Sequence, residues 1–281
     1  MRYLKTSEAA TILEISPNTL RAWERRFGFP KPQRSPGGHR SYTHGEVVAL
    51  REALRGGLSI SSAVPRARAG VAADTDSLVR ALLAYDAVRS DCAIETALAL
   101  RSVERSVEEV LLPALELIVG RSGAESAAWA FSARWAVDWL RRARRLAQPG
   151  VSPVSILLGD ASRGELDLDA PYIRALELFC VRAGVRVLRL SAQAVNGIGD
   201  AAAVHRPNLV VLAGSQGNDD TVARWAWGVG RSVGPRPVAL YRRTTSRVCP
   251  AVLPSAPGDA QLRLLELVDA AIPARVRQLA L

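Results

Sequence analysis

Eleven residues near the N-terminus, Ser16-Pro17-Asn18-Thr19-Leu20-Arg21-Ala22-Trp23-Glu24-Arg25-Arg26, set the tightest limit on how this 281-residue chain can fold. Ser16 is a helix N-cap, and Pro17 fits the first helical position, where a missing N–H costs nothing. Leu20 and Trp23 are three apart and share one face. Thr19, Arg21, Arg25 and Arg26 are left on the others, so this helix buries one narrow stripe and shows arginine to whatever lies opposite. A short helix over 6–13 precedes it, with Thr6 or Ser7 as N-cap and Ala9, Ala10, Ile12 and Leu13 as apolar face; Glu14-Ile15 makes the turn. Two short helices joined by a tight turn form a helix-turn-helix, whose second helix enters the major groove of DNA.

The next stretch is built as a wing. Pro30, Pro32 and Pro36 keep 28–36 extended, Gly37-Gly38 suits a hairpin tip, and His39, Arg40 and Tyr42 follow on the return arm. Thr43 to Glu46 has capping-box spacing and starts a helix running to about Arg55. Gly56-Gly57 stops it, and a short fourth helix begins at "LSISSAV". Residues 66–77, "RARAGVAADTDS", contain no large apolar side chain and read as a linker. Charge supports the division: residues 1–70 hold 12 basic and 5 acidic residues, and 71–150 hold 10 and 11. Most of the chain's +10 therefore sits where the helix-turn-helix is, as nucleic-acid binding requires.

The run "TSEAATILEISPNTLRAWERRFGFPKPQRSPGGHRSY" resembles the DNA-binding domain of MerR-type transcription regulators in element order and spacing. The resemblance implies recognition of double-stranded DNA through residues 16–42. Ser16, Asn18, Thr19, Arg21 and Arg25 form the helix side of that set, and Arg34, His39, Arg40 and Tyr42 contact the backbone from the wing. Trp23 is core. Phosphate contacts set register, while only a few side chains of the helix reach base edges.

Beyond the linker the pattern is helical to about residue 147: one helix from Leu78, a second capped by Asp91, a third over Val103–Val119 kinked at Pro113, and a fourth over Ala124–Leu146. Trp129, Trp135 and Trp139 on the last read as core. Short apolar runs at 154–159, 184–190, 208–214 and 236–241 then alternate with helices at 169–183, 197–205, 219–231 and 259–272, which implies a parallel sheet covered on both faces. The fold class is multidomain: a winged helix-turn-helix (1–70), a four-helix bundle (77–148) and a Rossmann-like α/β domain (151–281). A ligand of such a sheet sits at the C-terminal strand ends.

This order of domains resembles MerR-type regulators whose C-terminal half is a cobalamin-binding module, including light-sensing adenosylcobalamin repressors. That family carries Asp/Glu-x-His-x-x-Gly after the first strand, the His ligating cobalt. Here the match is Asp160-Ala161-Ser162-Arg163-Gly164-Glu165: Asp160 remains, Ser162 replaces the His and Glu165 the Gly. A hydroxyl does not replace imidazole on cobalt. In the bundle, Ala128-Trp129 stands at the family's Glu-His pair, so Trp129 fills space that a corrin face needs. The degenerate site is thus Trp129, Asp160, Ser162 and Glu165, with Gly214 and Ser215 of "AGSQGNDD" beside it. The expectation is no cofactor and no metal, and a module reused for homo-oligomerisation, a protein partner or a non-corrin ligand. A corrinoid bound without a protein ligand to cobalt is the alternative.

Of the three histidines, His205 reads as a surface or capping residue at a helix end. An enzymatic use of Asp160, Glu165, Asp167 and Asp169 lacks a His, Cys or Lys partner. Three dispersed cysteines, no long apolar run and a charged N-terminus point to a cytoplasmic chain with no membrane partner.

Overall fold

A computed structural model of the chain describes residues 3–34, 40–148, 152–191, 198–214, 219–233, 236–241 and 251–271. The chain divides into two compact units, Met1–Ala128 and Trp129–Leu281.

The first unit opens with β1 (Tyr3–Lys5), α1 (Thr6–Ile12) and α2 (Pro17–Phe27), followed by β2 (Gln33–Arg34) and β3 (Arg40–Thr43). The sheet is antiparallel in the order β1-β3-β2, with Leu4 opposite Tyr42 and Arg34 opposite Arg40. The wing therefore has a third strand that the sequence reading lacked, because three residues carry no periodic signal. It moves the start of α1: Lys5 takes the N-cap position in place of Thr6 or Ser7, and its N–H donates to Glu8 Oε2 at 2.7 Å. Glu14 turns the chain at φ 58°, and Gly28, at φ 61°, ends α2 by donating its N–H to Glu24 O. Leu4, Ala10, Leu20, Tyr42, Val47 and Leu50 form the centre of the core, with Trp23 packed at its margin.

Then come α3 (His44–Arg55) and α4 (Ile60–Leu83). The 24 residues of α4 run through the whole segment expected as a linker. The four alanines and two arginines of 66–77 are strong helix formers though they make no apolar stripe, and with no proline in the segment the helix continues through Gly70 and the weaker formers once its ends are fixed. Tyr85 at φ 56° ends that run, and Asp86, not Asp91, caps α5 (Ala87–Leu100) by accepting the Arg89 N–H at 2.9 Å. α6 (Val103–Ser106) passes through a π-helical segment, Val107–Leu111, into α7 (Leu112–Ser122). The expected kink at Pro113 takes this form. The proline has no N–H and crowds the carbonyl of the preceding turn, and a widened turn just before it relieves both.

α8 (Ala127–Leu146) falls almost wholly in the second unit, so the segment 77–148 is not a separate compact unit: its first three helices belong with the N-terminal module. The second unit contains β4 (Ser155–Asp160), α9 (Ala170–Arg182), β5 (Arg186–Ser191), α10 (Ile198–His205), β6 (Leu209–Ala213), α11 (Asp219–Val233), β7 (Val238–Tyr241), β8 (Ala251–Val252) and α12 (Pro257–Ala271). All five strands are parallel, in the order β5-β4-β6-β7-β8. Ile156, Leu158 and Val211 face one way, against Ile173, Leu176 and Leu264; Leu157, Val210, Leu212 and Leu240 face the other, with Trp225. Burial on both faces is why these strands read as unbroken apolar runs. Trp227, two residues on, is 64% exposed, so the two tryptophans part as their spacing predicts. No helix among the described residues is long and apolar enough to cross a membrane.

Gly159 is where β4 meets Trp225: an added Cβ would lie 2.7 Å from Leu212 Cδ2 and 3.1 Å from the indole. Gly159→Ala should lower stability by about 1–3 kcal/mol through overpacking. Thermal melts of the two proteins at equal concentration check this, and an unchanged midpoint refutes it.

Candidate nucleic-acid interface and sheet-end site

The reading helix α2 is fixed at its start by Ser16, whose Oγ accepts the Thr19 N–H at 3.0 Å and lies 2.8 Å from Thr19 Oγ1. Both hydroxyls are thus engaged in the cap. Asn18, Arg21, Arg25 and Arg26 are exposed along the remaining surface, with Arg21 Nη1 3.5 Å from Asn18 Oδ1. Arg26 lies over the Phe27 ring at 5.3 Å. The arginines face outward because Leu20 is fully buried and Trp23 partly so, which fixes the rotation of the helix.

Glu24, which the sequence reading passed over as one acid among arginines, joins this helix to the wing. Its Oε2 accepts from Arg40 Nε at 2.9 Å and from Tyr42 Oη at 3.3 Å. Burial of the ring, then the Glu24 charge, push the Tyr42 phenol above its ordinary range. Tyr42 is 0% exposed, which corrects its assignment as a DNA contact: its ring is core and its hydroxyl is used internally. Arg40 keeps 30% of its side chain exposed beside Glu24 and stays at the surface of the wing. Arg34 lies on β2, but its side chain, like His39 as a whole, is outside the described residues.

In the second unit Asp160 ends β4 at the sheet's C-terminal edge. Its Oδ1 accepts the Ser162 N–H at 3.0 Å and the Ser162 hydroxyl at 2.6 Å, and its Oδ2 accepts from Arg189 at 2.8 Å. Arg189 also donates to Glu177, which is ion-paired with Arg144 at 2.6 Å and Arg174 at 3.4 Å. Burial, then repulsion from Arg189, lower the Arg174 pKa. Glu165 accepts from Arg141 at 2.6 Å, and that bond holds its carboxyl below the usual carboxylate range. Trp129, 2% exposed, donates its indole N–H to Leu166 O at 2.8 Å. Gly214, at φ 115°, lets β6 close on this turn: a Cβ there would sit 3.3 Å from Ala161 C and Ser162 N. Its glycine is explained by the protein's own backbone. Ser215 lies outside the described residues.

These groups do not fit a cobalt corrin held from below. Where the imidazole would stand, a serine hydroxyl is bonded to Asp160, and no other nitrogen or sulfur ligand accompanies it in the segment 160–170. The loop bearing it is fastened to α8 through Trp129 and Arg141, and no group of three or more His, Cys, Asp or Glu able to hold a metal occurs among the described residues. His205 is at the end of α10, with Nε2 2.8 Å from Ile156 O at the far end of β4; it therefore donates to that carbonyl. Cys180 is buried, which pushes its thiol up to about 12 and leaves it inert.

Known proteins resemble the chain in parts. The HTH-type transcriptional regulator MlrA of Escherichia coli is 48% identical over 48 residues, 17% of this chain and 20% of MlrA. The HTH-type transcriptional repressor CarH of Myxococcus xanthus is 29% identical over 137 residues, 41% of this chain and 46% of CarH. The chain thus matches a fifth of one relative and under half of the other. A solved cobalamin-binding protein from Desulfitobacterium hafniense DCB-2 aligns with 71% of this chain and 98% of its own at 12% identity and a TM-score of 0.34. The model of the MerR HTH family regulatory proteins matches residues 4–62, the segment that carries α1, α2, the wing and α3. Over residues 4–62, then, the chain is similar to the MerR HTH family of regulatory proteins.

Proposed function

We propose that the chain is a sequence-specific DNA-binding transcriptional regulator that acts as a homo-oligomer on repeated half-sites, and that its sheet-end site has given up the cobalt corrin. The observation that carries the first part is the exposed face of α2, with Asn18, Arg21 and Arg25 outward and the helix tied to the wing through Glu24. On this reading Thr19, Arg21 and Arg25 approach the major groove, and Arg34, His39 and Arg40 contact the phosphate backbone from the wing. The second part is supported by Ser162 in place of an imidazole and by Trp129 seated on the loop that would pass under the ring. On this reading the module serves oligomerisation, a protein partner or a non-corrin ligand, and the chain does no chemistry of its own.

Arg21→Ala and Arg25→Ala should each weaken binding to the regulator's own promoter DNA, and a phosphate-contacting arginine should also lower the salt slope by about one unit. Tyr42→Phe should leave DNA affinity intact while costing about 0.5–1.5 kcal/mol of stability, since its hydroxyl serves Glu24. Gel-shift titrations at two salt concentrations, with melts alongside, separate these cases; unweakened binding by the arginine variants sinks the DNA reading.

The corrin part has its own test. Purified protein mixed with adenosylcobalamin in the dark and desalted should show no visible absorption band. A red, retained fraction would reverse that assignment.

A further inference from the structure

Three arginines of the second unit share one buried carboxylate. Glu177 of α9 is 4% exposed. Its Oε2 accepts from Arg189 Nε of β5 at 3.1 Å and from Arg174 Nη1, one turn back on α9, at 3.4 Å. Its Oε1 lies 2.6 Å from Arg144 Nε of α8. Asp160, at the end of β4, meets Arg189 a second time at 2.8 Å. Three guanidiniums thus face two carboxylates, and one positive charge is left over. The neighbouring Arg134 and Arg141 do not change this, because Glu165 and Asp138 match them.

The surplus falls on Arg174. A guanidinium has five N–H donors. Among the described residues, that of Arg174 makes one long bond, to an oxygen already taken by Arg189, although only 15% of the side chain is exposed. Burial, then the charge of Arg189, lower its pKa, and the second cause is the same surplus. Arg144 is also incompletely served: its Nε is closed to solvent and stands beside Glu177 without making an aligned hydrogen bond. A half-buried guanidinium with unused donors is costly unless something takes them.

The cluster is open enough to be reached, since Arg144 and Arg189 keep 38% and 27% of their side chains exposed. Arg189 is two residues from the C-terminal end of β5, the end of a parallel sheet where ligands sit. Guanidinium forks match carboxylate and phosphate oxygens. Glu177 already plays the carboxylate's part, with two oxygens in one plane. A phosphate brings three or four oxygens and takes donors arriving from α8, α9 and β5 together.

We propose that Arg144, Arg174 and Arg189 bind a phosphate group, free or carried by a small ligand, at this sheet end. Glu177 and Asp160 hold the guanidiniums in place, and the phosphate takes the donors they leave and neutralises the surplus charge. This names the chemistry of the non-corrin ligand inferred above and rests on that reading.

Thermal melts of the full chain test it, in chloride buffer and with inorganic phosphate, phenyl phosphate or acetate added at equal ionic strength. Phosphate should raise the midpoint by at least about 2 °C, since a ligand of the folded state stabilises it by mass action. Arg174→Gln gives up one long bond, so it should melt within about 2 °C of the parent in chloride and should lose the phosphate shift. Arg144→Gln should shrink that shift as well. A shift from inorganic phosphate means that the free ion suffices; one from phenyl phosphate alone means that the ligand is an ester. No shift from either phosphate, or an equal shift from acetate, overturns the proposal. So does a shift that Arg174→Gln retains, because it then arises elsewhere in the chain. A larger fall of the Arg174→Gln midpoint in chloride overturns it too, by making Arg174 a structural partner of Glu177. Adenosylcobalamin retained after desalting would sink the non-corrin reading, while the melts would still judge the arginines.

Discussion

The N-terminal module depends on one carboxylate. Glu24 sits on the reading helix and accepts from Arg40 and Tyr42 of the wing strand. A charged acceptor with two donors makes stronger bonds than neutral pairs. More important is what they fix. The helix shows arginine on its outer surface, and its apolar packing through Leu20, Trp23 and Phe27 is a narrow stripe. The tie to β3 sets its roll and its distance from the wing together.

In the second unit the turn after β4 is held by the chain's own groups. In an open parallel sheet the C-terminal strand ends form a natural crevice. Here Asp160 is saturated by Ser162 and Arg189, Gly214 draws the neighbouring strand against that turn, and α8 contributes Trp129 and Arg141 to the loop beyond. Among the described residues, Asp160, Ser162, Glu165 and the Trp129 indole N–H each have a partner within the chain. Two arginines of α8 pair with acids of this unit in the same way, Arg141 with Glu165 and Arg144 with Glu177.

Much of the fold was legible because its signals are local. Ser16-Pro17 marks a helix start whatever surrounds it, and the strands at 155–160 and 209–213 announce themselves by apolar runs that only burial on two faces explains. The misses share a cause as well. β1 and β8 are two or three residues long and exist only because a partner strand is present. The 66–77 segment looked like a linker because it has no apolar stripe, but helix continuity needs only the absence of breakers and anchored ends. Glu46 had the spacing of a capping residue, and its partner Arg105 is 59 positions away by its number, beyond the reach of any local pattern.

The sequence by itself determined which faces are apolar, where the helix after Ser16 begins, that the positive charge gathers in the first quarter, and that a serine, Ser162, follows Asp160-Ala161. Those are properties of residue type and short spacing. The tertiary structure alone decided what each charged group does: that Tyr42 is core, that Glu24 and Arg40 tie helix to wing, that Ser162 serves Asp160, and that Arg105 stands between two carboxylates. A charge is indifferent to the identity of its partner along the chain and sensitive only to distance and burial, and both are set when distant segments pack.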